Sequence, residues 1–282
     1  MPLGRNLLAL HTWTLDSTPL AGVLEVARST GWDAVELRRV DFDRAEAGGQ
    51  SAAQVLDLVR ASGLAVSAVG VASGWMFAVE PEKQRLLELF RRSCATAAEL
   101  RCGVVMSPVD KERGDVQQAA QSVLQVGDIA RQHGVRLALE FNSQALQFNT
   151  LESVREVLAL AAHPAAGLLL DSYHLHRSGR GGRGFAEVAL EEIAYVQYSD
   201  VPRQGVRPGE TLDRLPPGEG VIDFGELFGL LDDKGYVGAL SYEAPNPAAW
   251  ARDPAEVARE ALLATRALLG PASGRLGAGV RR

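Results

Sequence analysis

Four strand-length apolar segments from the middle of the chain onward end in a carboxylate or an amide. The segments are LALE, LLLD, YVQ and LSYE, and their last residues are Glu140, Asp171, Gln197 and Glu243. A short apolar run of this kind is typical of a buried parallel strand, whose last side chain reaches the carboxyl edge of the sheet. Three carboxylates buried close together are costly without a counter-charge, and a divalent cation would neutralise them.

All four side chains offer oxygen atoms as ligands. Oxygen donors favour Mn²⁺, Mg²⁺ or Co²⁺, with Zn²⁺ as a further candidate, and they differ from the sulfur and nitrogen donors of structural zinc sites. A single acid at a strand end is more often a helix cap or a loop contact than a ligand. Four such side chains after four successive strands favour a site for one divalent metal ion.

These side chains can meet only if the strands that carry them share one rim. The chain repeats a unit of helix, glycine, buried strand and polar loop, and the strands are predicted to begin near residues 6, 34, 65, 103, 135, 167, 193 and 237. This spacing suits eight βα units, so we predict an α/β fold with a single (β/α)8 TIM barrel over residues 1–270. The alternative, an open doubly wound sheet, is weakened because HTWTLD, and no GxGxxG turn, follows the first strand. Residues 271–282 lack an apolar period and are predicted to form a flexible tail.

Composition limits the class of protein. The 282 residues are 46% hydrophobic and 23% charged, which suits one large α/β domain or two small ones. The net charge of −6 argues against nucleic acid as the main partner, and no apolar segment has the length of a membrane span. Cys94 and Cys102 form neither a CxxC pair nor a disulfide framework, so a cytoplasmic protein is expected. The oligomeric state stays open, with a homo-oligomer as one alternative.

The sequence resembles the xylose isomerase-like TIM-barrel superfamily, which includes sugar phosphate isomerases and epimerases. The segments that carry the resemblance are GWDAVELR, GVRLALEFN, DSYHLHRSG, VQYSDVPR, LPPGEGVIDFGELFGLL and GYVGALSYEAPNP. They span most of the chain, from about Asn6 to Ala267. The resemblance implies a divalent metal held by the fifth to eighth strands, here by Glu140, Asp171, Gln197 and Glu243.

The resemblance also implies two substrate-binding residues. His174, in the D-x-x-H motif, matches the histidine that touches substrate, and Arg203, six residues past Gln197, matches the substrate-binding arginine. Gln197 departs from the pattern, because the sugar epimerases usually have histidine there. Its amide oxygen can coordinate a metal but cannot titrate. Glutamine at this position is associated with 3-dehydroshikimate dehydratases and neighbouring branches, which keeps a dehydratase open.

The implied reaction is isomerisation or epimerisation of a small keto-sugar or sugar phosphate by proton transfer through a metal-stabilised enediolate. Glu140 and Glu243 would be the catalytic acid and base, and His174 would hydrogen-bond a substrate oxygen. A metal-dependent lyase acting on 3-dehydroshikimate or an inosose would use the same residues. An endonuclease IV-like nuclease or a non-catalytic barrel is disfavoured. Only five histidines occur, and His133 and His163 are predicted on the opposite face of the barrel.

The segment from Asp200 to Gly220 departs from the repeat. It is rich in Pro, Gly and Arg and too long for a simple connection, so it is a candidate lid or substrate clamp. Its Arg207 and Arg214 would either add anion contacts or stay solvated. His11, just past the first strand, is placed where it could line the pocket.

Overall fold

Eight parallel strands close into one barrel in chain order in the computed structural model, which describes residues 3–205 and 209–270. The strands are β1 Leu8–His11, β2 Ala34–Leu37, β3 Ala65–Gly70, β4 Val104–Pro108, β5 Arg136–Glu140, β6 Ala166–Asp171, β7 Ile193–Tyr198 and β8 Leu240–Tyr242. Each begins within three residues of its predicted start. The predicted (β/α)8 barrel is therefore confirmed. The predicted tail, residues 271–282, lies outside the described residues.

Helices surround the barrel and bury one apolar face each. They are α1 Leu20–Thr30, α2 Arg39–Ala47, α3 Ala52–Ala61, α4 Glu82–Glu99, α5 Val116–Gln132, α6 Leu151–Ala161, α7 Ser172–Arg177, α8 Phe224–Asp233, α9 Pro247–Trp250 and α10 Pro254–Leu269. Helix α5 shows the pattern, since Ala119, Val123, Val126 and Ala130 recur every three or four residues and are buried. None of the helices in the described ranges is both long and apolar enough to cross a bilayer.

Glycine lies at the turn from helix to strand, as the sequence pattern predicts. Gly31 ends α1 with a φ of 93°, a left-handed conformation that costs glycine little. Its N–H donates to the carbonyl oxygens of Ala27 and Arg28. The chain can therefore reverse within three residues and enter β2.

A small apolar cluster fills the inside of the barrel. It contains one residue from each of β3 to β7, namely Ala68, Met106, Ala138, Leu169 and Tyr195. Side chains alternate along a strand, so a residue two positions further on points to the same inner face. Glu140, Asp171 and Gln197 stand in that relation to Ala138, Leu169 and Tyr195. The strands therefore deliver these three polar side chains to the interior of the barrel at its C-terminal rim.

Candidate active site

A group of buried acids meets at the C-terminal rim, and Glu140, Asp171 and Glu243 are called here the carboxylate cluster. Glu140 and Asp171 each bring an oxygen, and His174 a ring nitrogen, to within 4.8 Å of one another. The His174 Nε2 atom lies 3.9 Å from Glu140 Oε1 and 3.9 Å from Asp171 Oδ2. Asp171 also caps α7 by accepting a hydrogen bond from the Tyr173 N–H at 2.8 Å, which places His174 beside the cluster.

Arg214 joins Glu243 to the rest of the cluster. Its Nη1 atom lies 2.8 Å from Asp171 Oδ2 and 2.8 Å from Glu243 Oε2. The side chain is only 2% exposed, and its guanidinium lies 4.4 Å from the centroid of the Tyr173 ring. Of the two alternatives that the sequence left for Arg214, the structure shows a buried anion contact.

Gln197 lies beside Asp171 and is fully buried. The two residues are register partners across β6 and β7. The Gln197 Nε2 atom donates a hydrogen bond to Glu36 Oε1 at 2.8 Å, whereas Oε1 of Gln197 has no hydrogen-bond partner among the described residues. Glu36, in β2, was absent from the predicted site, although an acid within the apolar strand AVEL is the same kind of signal.

His11 stands between two of these acids. Its Nε2 atom lies 3.4 Å from Glu243 Oε1 and 3.7 Å from Glu36 Oε1. The Trp13 N–H donates to Nδ1 at 3.0 Å, so the proton of the neutral ring belongs on Nε2, facing the carboxylates. Burial lowers the pKa of His11 well below its ordinary value, and Arg38 and Arg214 lower it further. His11 is therefore a neutral N–H donor beside Glu243.

Burial shifts the titration of the acids as well. Burial raises the pKa of Glu36 to about 8, and the charge of Glu243 adds to the shift. The pKa of Glu140 lies well above its ordinary value because of burial and the charges of Glu243 and Asp171. Burial also raises the pKa of Glu243, although Arg214 opposes this. Burial therefore favours the protonated form of all three carboxyl groups relative to a glutamate in water.

His174 is neutral. Burial lowers its pKa to about 3, with Asp171 opposing and Arg214 assisting the shift. Its Nδ1 atom lies 2.9 Å from Ser143 Oγ and 3.3 Å from the Ser143 backbone nitrogen, which donates to it. The ring is thereby fixed, with Nε2 turned toward the carboxylate cluster.

Asp200 fixes the base of the loop that carries Arg214. Its two carboxylate oxygens accept hydrogen bonds at 2.8–3.0 Å from the backbone N–H groups of Val201, Gly218, Gly220 and Ile222. Asp200 also pairs with Leu215 in an isolated antiparallel bridge. Arg214 precedes Leu215, and its carbonyl oxygen accepts a hydrogen bond from Asn246 Nδ2 at 3.0 Å. These contacts hold the backbone of Arg214 over the barrel mouth.

The other basic and histidine residues named from the sequence lie elsewhere. Arg203 is exposed on the same loop, and Arg207 lies outside the described residues. His133 follows the last residue of α5 and precedes β5. His163 precedes β6, and its Nε2 atom lies 3.4 Å from Asp128 Oδ1 in α5. These two histidines therefore lie at the amino ends of the strands, on the face opposite the cluster.

The donor set fits a divalent cation. Among the described residues, the buried oxygens Glu140 Oε1 and Gln197 Oε1 have no hydrogen-bond partner, and Asp171 and Glu243 already share one positive group. Four oxygen-bearing side chains of this kind suit a hard metal ion. Arg214 Nη1 lies against Asp171 Oδ2 and Glu243 Oε2, so a metal ion on those two oxygens would compete with the guanidinium.

Comparison with known proteins supports this description. A family model described as xylose isomerase-like TIM barrel matches residues 24–268. An inosose isomerase of Halalkalibacterium halodurans is 24% identical over 241 residues, which cover 83% of this chain and 86% of that protein. A 3-dehydroshikimate dehydratase of Pseudomonas putida is 28% identical over 135 residues, 47% of this chain and 21% of that protein.

Solved structures show the same fold. A crystal structure described as the IOLI protein with a bound zinc atom superposes with a TM-score of 0.83 at 21% identity. The match covers 93% of this chain and 98% of that one. The barrel therefore has the architecture of a protein that was crystallised with a metal ion.

Proposed function

Because the chain belongs to the xylose isomerase-like TIM-barrel family, we propose that it is a divalent-metal-dependent isomerase or epimerase of a small keto-sugar or a related polyhydroxy ketone. One observation carries the proposal. The carboxylate cluster, carried by β5, β6 and the residue that follows β8, lies together at the C-terminal rim, where TIM barrels hold their active sites. Gln197, in β7, is the register partner of Asp171 in this cluster. The inosose isomerase relative, which aligns along most of both chains, supports this class of reaction.

Glu140, Asp171, Gln197 and Glu243 would hold the metal ion through their oxygen atoms. When bound, a divalent cation polarises the carbonyl and neighbouring hydroxyl of a substrate and so acidifies the C–H bond between them. Mn²⁺, Mg²⁺, Co²⁺ and Zn²⁺ all suit this donor set, and the zinc atom of the structural neighbour makes Zn²⁺ one of the ions to test.

Glu140 and Glu243 would move the substrate proton. They lie at the ends of β5 and β8, on different sides of the rim, so one can remove a proton from carbon while the other returns one. The pKa of each is raised above that of a free glutamate by burial, as is common for acid-base groups in active sites. His11, held as a neutral donor 3.4 Å from Glu243 Oε1, would orient that carboxylate.

Two further residues would bind substrate oxygens. His174 is neutral and held by Ser143, and its Nε2 lies 3.3 Å from Arg214 Nη2, so it could donate to a hydroxyl or to a developing enediolate oxygen only once Arg214 shifts. Arg214 would bind a substrate oxygen or anionic group once it leaves Asp171 and Glu243. Arg203, the arginine predicted from the resemblance, is exposed and would reach substrate only from the outer part of the loop.

A lyase is the second candidate. Gln197 stands where the sugar epimerases usually have histidine, and a 3-dehydroshikimate dehydratase is among the partial relatives. Loss of a β-hydroxyl from the same enolate would give dehydration instead of isomerisation. The two reactions would use the same acids, so product analysis must separate them.

The test is turnover of metal-stripped protein on ketohexoses, ketopentose phosphates, inososes and 3-dehydroshikimate, with Mn²⁺, Mg²⁺, Co²⁺ or Zn²⁺ added back. We expect metal-restored turnover that Glu243→Gln abolishes and that the exposed control Glu219→Gln retains. Uptake of solvent deuterium into product without loss of water would identify an isomerase, and ultraviolet absorption of a conjugated product would identify the lyase. A protein that neither binds metal nor turns over any substrate would contradict the proposal.

A further inference from the structure

Glu36 is a buried acid to which the proposed reaction gives no role. It is fully buried in β2, and its register partner on β1 is His11. Among the described residues its one ion-pair contact is to His11, at 3.7 Å, and His11 is neutral. A carboxyl group buried without a cation beside it is costly to ionise, so the presence of an acid here needs another explanation.

The contact between Glu36 and Gln197 supplies that explanation. An amide has an acceptor end and a donor end of nearly the same shape, so its orientation depends on its partners. Glu36 Oε1 accepts a hydrogen bond from Gln197 Nε2 at 2.8 Å, and it can do so as a carboxylate oxygen or as the carbonyl oxygen of a carboxyl group protonated on Oε2. The carbonyl oxygen is therefore turned away from Glu36, where it is buried and has no hydrogen-bond partner among the described residues.

Neighbouring side chains show where that oxygen belongs. Gln197 is the register partner of Asp171, and side chains of register partners on parallel strands point to the same face. Asp171 belongs to the carboxylate cluster, and its Oδ2 atom contacts Arg214 Nη1 there. The free oxygen of Gln197 thus lies on the side of the barrel wall that bears the cluster.

We propose that Glu36 is a positioning residue that fixes the Gln197 amide so that its carbonyl oxygen, and not its NH2 group, is presented to the metal ion. The inference rests on the proposed function, since it concerns the same metal ion. An amide NH2 group has no lone pair to give to a cation, so a reversed amide would remove one ligand and place a donor there instead. A histidine at position 197 could use the same arrangement, with one ring N–H on Glu36 and the other nitrogen on the metal.

The test compares the Mn²⁺ affinity of the full-length chain and its variants by titration calorimetry. In Glu36→Gln the new amide can donate to the Gln197 oxygen and so stabilise the reversed orientation. We expect its Mn²⁺ affinity to fall by about 10- to 100-fold, as for other residues that orient a metal ligand. The control Glu219→Gln removes one negative charge from an exposed position on the loop and should bind Mn²⁺ like the wild type.

A double variant tests whether the single variant binds Mn²⁺ weakly because no oxygen is presented at position 197. In Glu36→Gln combined with Gln197→Glu, net charge is conserved, and the side chain at 197 has an oxygen at both ends. If Glu36 acts by orienting the amide, this exchange restores Mn²⁺ affinity to at least the wild-type value. If Glu36→Gln does not fold, the Mn²⁺ affinity of the double variant is compared with that of the wild type. An affinity at least equal to the wild type supports the inference, and a lower affinity overturns it.

Three outcomes would overturn the inference. Wild-type affinity in Glu36→Gln would show that a fixed acceptor at position 36 is not needed. A double variant as weak as the single one, with net charge conserved and an oxygen at both ends of side chain 197, would show that Glu36 does not act by orienting the amide. Neither result would contradict the proposed metal-dependent function. A wild-type protein that binds no Mn²⁺, Co²⁺ or Zn²⁺ would overturn both.

Discussion

Two kinds of buried carboxylate lie near one another at the C-terminal rim, and their partners differ. Asp200 accepts four hydrogen bonds, all from backbone N–H groups of its own loop. The carboxylate cluster instead faces Arg214, and Glu140 Oε1 has no hydrogen-bond partner among the described residues. Burial is equal in the two places, so burial by itself does not separate a structural acid from one available for chemistry.

The difference teaches how to interpret an acid at a strand end. Backbone N–H groups are fixed in place, so a carboxylate that they satisfy is bound to one conformation and stabilises it. A carboxylate held by a side chain can exchange that side chain for a metal ion or a substrate. The carboxylate cluster keeps this freedom at the oxygens that contact Arg214, although the other oxygen of Asp171 caps α7, whereas both oxygens of Asp200 are held by backbone N–H groups.

Glu140→Gln should have the largest effect, and it should fall on activity. Replacing a proton-transferring carboxyl by an amide should lower kcat by about 10²- to 10⁴-fold. Because Glu140 Oε1 makes no hydrogen bond to the described residues, the free energy of unfolding of the metal-free protein should change by less than about 1 kcal/mol. Steady-state kinetics and urea denaturation measure the two quantities. A Glu140→Gln variant that loses stability but retains the wild-type kcat would show that Glu140 is a structural acid like Asp200.

Arg214→Gln should act on both stability and metal binding. Removing one partner of a buried ion pair leaves uncompensated charge, so the metal-free protein should lose about 3–5 kcal/mol of unfolding free energy. Mn²⁺ affinity should rise, because Asp171 and Glu243 would no longer be shared with a guanidinium. Thermal melts with and without Mn²⁺ would show a larger metal-induced increase in Tm than in the wild type. The control is Arg203→Gln on the exposed part of the loop, and a fall in Mn²⁺ affinity of Arg214→Gln would contradict the competition.

Asp200→Asn should act on stability first. Its NH2 group would face backbone N–H groups that now donate to a carboxylate, and each buried group left unpaired costs about 1–3 kcal/mol. We expect a loss of about 3 kcal/mol in unfolding free energy by urea denaturation. Glu219→Gln, an exposed change on the same loop, should cost less than about 0.5 kcal/mol. Equal stability of Asp200→Asn and wild type would show that the loop does not depend on this acid.

The two cysteines should give the smallest effect. Burial raises the pKa of Cys94 to about 12 and that of Cys102 to about 11, so both thiols are protonated at pH 8 in the folded protein. Alkylation by iodoacetamide at pH 8 should be slow in buffer and fast in urea. Because the folded pKa values are raised, the stabilising contribution is complete below about pH 9 and is lost as the pH rises through the folded values. Rapid labelling without urea would mean that these thiols are accessible.

Local sequence pattern predicted the strands well because a buried parallel strand must be apolar along its length. The same pattern drew attention to Glu140, Asp171 and Glu243, because polar side chains that end several successive apolar strands indicate a shared site more strongly than any one of them does. The oxygens of Asp171 and Glu243 come together on Arg214, as expected for a shared rim. Their roles in metal binding and proton transfer remain predictions.

Contacts across the barrel could not be predicted in this way. Glu36 and Gln197 are 161 residues apart, and only barrel closure, with its particular stagger between strands, brings them within hydrogen-bonding distance. The family resemblance pointed to Arg203, which is exposed and whose role in substrate binding stays a prediction. The loop folds back through the pairing of Asp200 with Leu215 and presents Arg214 to the cluster. Residue spacing in a long irregular loop does not determine which side chain returns to the site.

The anchoring of this loop has a consequence for how the protein can diversify. Asp200 fixes residues 218–222, where Gly220 has no room for a Cβ atom because one would overlap the Val201 carbonyl oxygen. Residues 203–205 and Gly209 are exposed. Natural or engineered insertions after Gly205 would therefore lengthen the rim above the barrel mouth while Arg214 keeps its place. Such insertions offer a route to new substrate ranges that spares the underlying chemistry.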